Sequence, residues 1–157
     1  MNPYAKHLGD GDPLEVLNAT FLKLTELSPK LTPDHMVASY ETGKWSLARI
    51  LSHLLHVELM FGTRLRQALT SDNYTAQPFD QDLWMDREPV NDGYTELRAL
   101  LALRQWNLAL WRSLSNDDLQ RSFNHPELGP MSIRNLLELS AGHDLNHLSQ
   151  IETIAGR

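Results

Sequence analysis

Ser140-Ala141-Gly142-His143-Asp144-Leu145-Asn146-His147-Leu148-Ser149-Gln150-Ile151 is the stretch on which the reading of this chain turns. It contains no proline and no strand-like alternation, so it is read as helix. His143 and His147 then lie one turn apart on one face. Leu136, Ser140, Gln150 and Ile154 fall within a few tens of degrees of them on the same face, which aims both imidazoles into a core. A buried polar group left unpaired costs about 1–3 kcal/mol. The two histidines therefore need either hydrogen-bond partners, with Ser140, Asp144 and Gln150 at hand, or a shared metal ion.

Working back from this stretch, Ser132 suits the cap of a helix over 133–154. Phe123 to Pro130 carries two prolines and a glycine and is read as a turn or short irregular ribbon. An apolar period marks a helix from about Asp92 to Leu114, followed by a turn capped within Ser115-Asn116-Asp117-Asp118. Another helix runs from Trp45-Ser46 to about Thr70, with Leu47, Ile50, Leu51, Leu54, Val57 and Phe61 on a wide apolar face. The first clear helix opens at Asp12-Pro13, where Asp12 can cap and Pro13 suits the first helical position, and runs to about Ser28. Pro29 and Pro33 end it, and a short capped turn is expected over 32–36. Residues 71–91 read as a long loop with a helical turn at 81–85, and loops of that length often cover a pocket. Four amphipathic helices in one repeat-free chain predict an all-α fold, a four-helix bundle occupying 1–157 as one domain. The connections after the second and third helices are too long for tight hairpins, so at least one long crossover connection is expected.

Composition narrows the function. The chain has 157 residues, 41% of them hydrophobic and 22% charged, an ordinary balance for a globular protein. No apolar run reaches the roughly 18–20 residues of a membrane span, and the first ten residues do not resemble a secretion signal, so a cytoplasmic protein without membrane partners is expected. A net charge of −6 with scattered Lys and Arg argues against a nucleic-acid partner. With no cysteine, there is no thiolate nucleophile and no sulfur ligand, so a metal site here must use His nitrogen and oxygen.

A His pair on one helix supplies two ligands, and a third must come from a facing helix. His53 is the best candidate, because its helix turns it to the edge of the buried stripe. Three histidines with an open position are the pattern of a substrate-accessible metal. Asp144 and Gln150 are weaker, catalytic candidates: Asp144 is turned about 100° from His143, and Gln150 lies one turn beyond His147. Glu58 is read as a solvated or interface charge, and His7, His35 and His56 as surface residues. His125 could approach the site from its irregular segment. The four tryptophans are read as packing, with Trp84 also able to line a pocket.

Lys44-Trp45-Ser46-Leu47-Ala48-Arg49-Ile50-Leu51-Ser52-His53 and His143-Asp144-Leu145-Asn146-His147-Leu148-Ser149-Gln150-Ile151, together with the lead-in His125 to Ser132, resemble the DinB-like superfamily of bacterial helical bundles. The resemblance covers nearly the whole chain. It implies a dimeric four-helix bundle holding a divalent metal, zinc or nickel, on His53, His143 and His147. Some members of the superfamily resemble transferases of a low-molecular-weight thiol; since a bound ion would activate either water or an incoming thiol, hydrolysis and thiol transfer on a small-molecule substrate are the candidate reactions. The alternative is a non-catalytic, stress-associated metal-binding dimer.

Overall fold

A computed structural model describes residues 3–89 and 92–157; Val90 and Asn91, the end of the expected loop, lie outside the described residues. Eight helices are present among the described residues: α1 (Ala5–Leu8), α2 (Pro13–Leu27), α3 (Pro33–Val37), α4 (Leu47–Thr70), α5 (Gln81–Arg87), α6 (Tyr94–Ser113), α7 (Asn116–Gln120) and α8 (Ile133–Ala155). A 3-10 turn at Ser28–Lys30 follows α2, and a hairpin of β1 (Ser122–His125) and β2 (Gly129–Ser132) precedes α8.

The helix starts follow from local chemistry. Asp12 accepts hydrogen bonds from the Leu14 and Glu15 amides, Ser46 from Arg49, and Ser132 from Asn135, each satisfying amides that the first turn leaves without a partner. Asn135 answers Ser132 with its own side chain, completing a capping box. At the start of α6 the helix begins two residues later than expected, at Tyr94, where Asp92 Oδ1 accepts from its amide. Gly93 adopts φ +83°, and a Cβ there would lie 2.9 Å from Met36 Sδ and 3.0 Å from Ala48 Cα. Only glycine suits both that backbone and that close approach.

The bundle comprises α2, α4, α6 and α8. α2 packs on α6 and α8, and α4 also packs on α6 and α8. Consecutive helices α2 and α4 therefore stand across one diagonal, and α6 and α8 across the other. Both of those connections cross an end of the bundle: the one from α6 to α8 is a crossover of the kind expected, whereas the long segment after α4 joins the neighbours α4 and α6, and the crossing from α2 to α4 was not expected. Because α4 has neighbours on two sides, it buries Leu47, Ile50, Leu51, Leu54 and Leu65 almost completely. Around Leu24, Leu47, Ile50, Leu97 and Ile154 one half of the core forms, and around Leu17, Phe61, Leu108, Trp111 and Leu136 the other.

The segment expected as irregular ribbon is an antiparallel hairpin, with Ser122 opposite Ser132 and His125 opposite Gly129. Gly129 takes φ +73° at the turn. The loop after α4 lies along β1: the Asn124 amide donates to the Tyr74 carbonyl at 2.9 Å and the Ala76 amide to the Asn124 carbonyl at 2.8 Å. The expected turn at 81–85 extends to the full helix α5. No helix among the described residues is long and apolar enough to cross a membrane.

Trp111 packs in the core as expected, but Trp106 does not. It is 61% exposed and carries the Arg66 guanidinium 3.8 Å above its ring. An exposed indole at a helical position read as packing is accounted for by this cation–π cover.

Candidate metal centre

His53 projects from α4, and His143 and His147 from successive turns of α8. Their ring nitrogens converge, each residue offering one ligand atom and all three atoms lying within 4.8 Å of one another. Nε2 of His53 and Nε2 of His143 are 2.9 Å apart. All three side chains are buried. Trp45 packs its ring 5.2 Å from that of His53, and Tyr4 sets its ring edge-on to His143 at 5.1 Å.

Burial, reinforced by the neighbouring His147 and His56, pushes the His53 imidazole down to about 3. Burial likewise holds His143 well below the ordinary histidine value, with His147, His53 and Arg104 acting in the same direction. His147 is lowered by burial too, partly offset by its hydrogen bond to Gln150 and by the Asp144 charge. At neutral pH the cluster is thus three uncharged imidazoles, the form that ligates metal.

Gln150 occupies a supporting place. Its Oε1 lies 2.9 Å from Nδ1 of His147. Nδ1–H donates to that acceptor, which leaves Nε2 with its lone pair for a ligand. The Nδ1 atoms of His53 and His143 are buried without a partner.

Asp144 is turned away from the histidines. Its carboxylate pairs with Arg104 of α6 through both Nη1 and Nη2, the latter at 3.0 Å, and accepts from the Thr20 hydroxyl of α2 at 2.7 Å. Arg104 Nε donates to Glu58 of α4 at 2.6 Å, and Asn107 Nδ2 donates to the same carboxylate at 2.6 Å. Glu58, expected to be solvated, is buried at the centre of the bundle because Arg104 and Asn107 meet it there. Burial alone would lower the Arg104 pKa; Asp144 and then Glu58 outweigh it and hold the guanidinium above its ordinary value. His56, expected at the surface, is also buried, beneath Trp84 of α5, with Nε2 3.5 Å from Glu88. α5 is the cover that a wheel drawn for α4 alone does not contain. Trp84 also lines a small pocket there beside His56.

An open cleft of about 570 Å³ reaches His53 and His143. Its walls include Tyr4 from the N-terminal segment, Phe79 from the loop after α4, and Arg64 and His125. A smaller pocket of about 250 Å³, beside Trp45 and Lys44, reaches His147 and Gln150. His125 comes to the cleft from the hairpin. Arg64 carries no signal in the sequence beyond its helical position.

The fold and cluster together define a class: helical bundles in which three histidines from two helices could hold a metal beside a pocket. The profile of the DinB superfamily matches residues 17–151, and the chain belongs to that superfamily. It is 30% identical over 128 residues to a protein of Oceanobacillus iheyensis whose name provisionally assigns it as a metal-dependent hydrolase, covering 81% of this chain and 74% of that one. A similarly named Bacillus cereus protein is 27% identical over 139 residues, or 86% and 79% of the two chains. Among solved structures, YfiT from Bacillus subtilis superposes with a TM-score of 0.78 over 92% of this chain and 85% of its own, at 23% identity; it is described as having an unusual four-helix bundle topology.

Proposed function

We propose that this protein is a metal-dependent hydrolase whose single divalent ion is held by His53, His143 and His147. The observation that carries the reading is the convergence of three buried, uncharged imidazoles, two of which, His53 and His143, line an open cleft. The names of the relatives support hydrolysis as the reaction. Zinc or nickel suits an all-imidazole donor set.

When bound, such an ion supplies Lewis acidity and brings the pKa of a water at the site toward neutrality. The chain's own residues do the rest. His147 is held in one tautomer by Gln150, and Trp45 and Tyr4 wall the cluster. With no cysteine the chain offers no thiolate nucleophile, and water or a second substrate is the attacking group in this reading. Contact of the cleft with His53 and His143 favours an enzyme over the non-catalytic alternative, in which a closed site would pin two helices.

The test is elemental analysis of protein purified without added metal, followed by a hydrolysis screen across ester and amide substrates before and after chelation. About one divalent ion per chain, and turnover lost on chelation and restored by zinc or nickel, is expected. No bound ion and no thermal shift on adding either metal would sink the reading.

A further inference from the structure

The large cleft has a second polar end. Along α4, His53, Val57, Phe61 and Arg64 follow one another at helical spacing and all line the cleft. At 1.5 Å per residue, His53 and Arg64 stand about 16 Å apart along the helix axis. Val57, Phe61 and Leu139 form an apolar wall between them.

Arg64 is only 4% exposed, yet among the described residues no carboxylate lies within ion-pair distance of it. Nη2 donates to the Gln77 carbonyl at 2.9 Å, Nε is buried without a partner, and Nη1 lies 2.8 Å from Nε2 of His125. That last contact is in conflict with the rest of the ring. The Glu127 and Leu128 amides both point at Nδ1 of His125 at 3.2 Å. Burial, and then Arg64, lower the His125 pKa against a weaker opposing effect of Glu127, so the ring is neutral near pH 7 and has one acceptor nitrogen. If Nδ1 accepts from the amides, Nε2–H meets the Arg64 N–H; in the other tautomer, Nδ1–H meets two amide N–H groups. Either way this end of the cleft holds more donors than acceptors, around a buried cation that no carboxylate touches among the described residues. Burying such a cation is costly unless an anion joins it. The acidic residues nearby do not pair with it: Glu127 favours the Arg64 charge only from a distance, against the stronger effect of burial, and stands exposed at the rim, while Asp80 is also exposed and its Oδ1 already accepts from the Leu83 amide.

We propose that Arg64 and His125 form an oxyanion-binding end of the cleft, recognising a carboxylate or phosphate on a substrate whose reacting group sits three helical turns away at His53, His143 and His147. The position of the reacting group rests on the metal-centre reading; the oxyanion end stands without it. The substrate class is then a small molecule with an acidic group at one end, an apolar middle that meets Val57 and Phe61, and the bond to be broken at the other end.

The test is an NMR titration of the full chain with inorganic phosphate and, separately, acetate, following the His125 ring nitrogens. It is run on the protein as purified and again after chelation. Saturable His125 shifts with at least one anion in both metal states are expected, and the anion taken more tightly identifies the group as phosphate or carboxylate. Arg64→Met should weaken that binding about tenfold or more, the loss expected for one charge-assisted partner, and Arg64→Lys should weaken it less. No saturable shift in the wild type overturns the proposal, and so does a shift that disappears on chelation but survives Arg64→Met. If Arg64→Met does not fold, the wild-type and Arg64→Lys titrations still decide. Zinc uptake by the same samples is scored separately: anion binding at His125 without zinc uptake would sink the metal centre alone, and zinc uptake without anion binding would sink the oxyanion end alone.

Discussion

Asp144 and Arg104 meet across the diagonal of the bundle, α8 to α6, and Glu58 of α4 and Thr20 of α2 complete the contact, so that one buried guanidinium ties together all four long helices. Since Asp144 follows His143 directly, the same network fixes the turn of α8 on which the histidine cluster stands. Removing Arg104 leaves two buried carboxylates facing each other. Arg104→Met should lower stability by about 3–5 kcal/mol, the cost of breaking a buried ion pair from one side. The triple change Arg104→Met, Glu58→Gln, Asp144→Asn should recover part of it. Urea denaturation of the two variants measures this; equal losses would show that the uncompensated charge is not the cause.

His147 and Gln150 should separate in their effects on metal. His147→Ala removes one of three nitrogens and should abolish tight binding, since two imidazoles hold a divalent ion poorly. Gln150→Leu keeps the nitrogen but frees the tautomer, and losing the partner that orients a ligating histidine costs about 10–100-fold in affinity. Competition with a chromophoric chelator reads both. A Gln150→Leu affinity equal to the wild type would remove the orienting role assigned to Gln150.

Stability of the metal-free protein should fall on acidification. His53, with a folded pKa of about 3, and His143 and His147, both lowered, remain neutral in the fold but take up protons once unfolded, at an ordinary value near 6.5. The unfolded state therefore binds more protons below about pH 6.5, and stability rises with pH there. The sign is loss of stability as pH falls from about 6.5 toward 3, by up to about 1.4 kcal/mol per pH unit for each such histidine. A denaturation series across this range, compared with His53→Phe, isolates the share of His53. A flat profile for the wild type would contradict the burial described.

Gly142 sits where α8 meets the N-terminal segment. A Cβ there would lie 2.6 Å from the Tyr4 carbonyl oxygen and 2.9 Å from Tyr4 Cβ. Alanine gains about 1 kcal/mol of helix propensity over glycine, whereas overpacking typically costs about 1–3 kcal/mol. Because the obstructing atoms are backbone and Cβ, which cannot rotate aside, the clash wins. Gly142→Ala should displace α1 and Tyr4 from His143, seen as faster proteolysis within the first eight residues and a lower Tm.

Much of this architecture is written in local signals. Asp12, Ser46 and Ser132 mark helix starts because a cap needs only its own first turn, and the imidazoles of His143 and His147 share a face by spacing alone. His53 could be chosen because it lies at the edge of an apolar stripe. Glu58 and His56 could not be placed in the same way. A wheel drawn for α4 alone has one wet side, but α6 and α5 cover that side with Arg104, Asn107 and Trp84. The contact between Arg64 and His125 is equally hidden, because those residues are 61 positions apart and one of them lies on a hairpin read as irregular ribbon. The proline and glycine spacing of that hairpin marked a turn without revealing that the loop after α4 would pair with it.

The diagonal connections have a consequence for the order of events in folding. His53 and His143 are 90 positions apart, and no short helical hairpin brings them together. Their meeting requires α4 and α8 to dock after a large loop has closed, a high-separation contact that is costly to form early. The cluster is thus expected to be completed late along the reaction coordinate. An ion bound there would slow escape from the native state while leaving the rate of reaching it almost unchanged, so that loading acts as a kinetic latch on a bundle already assembled.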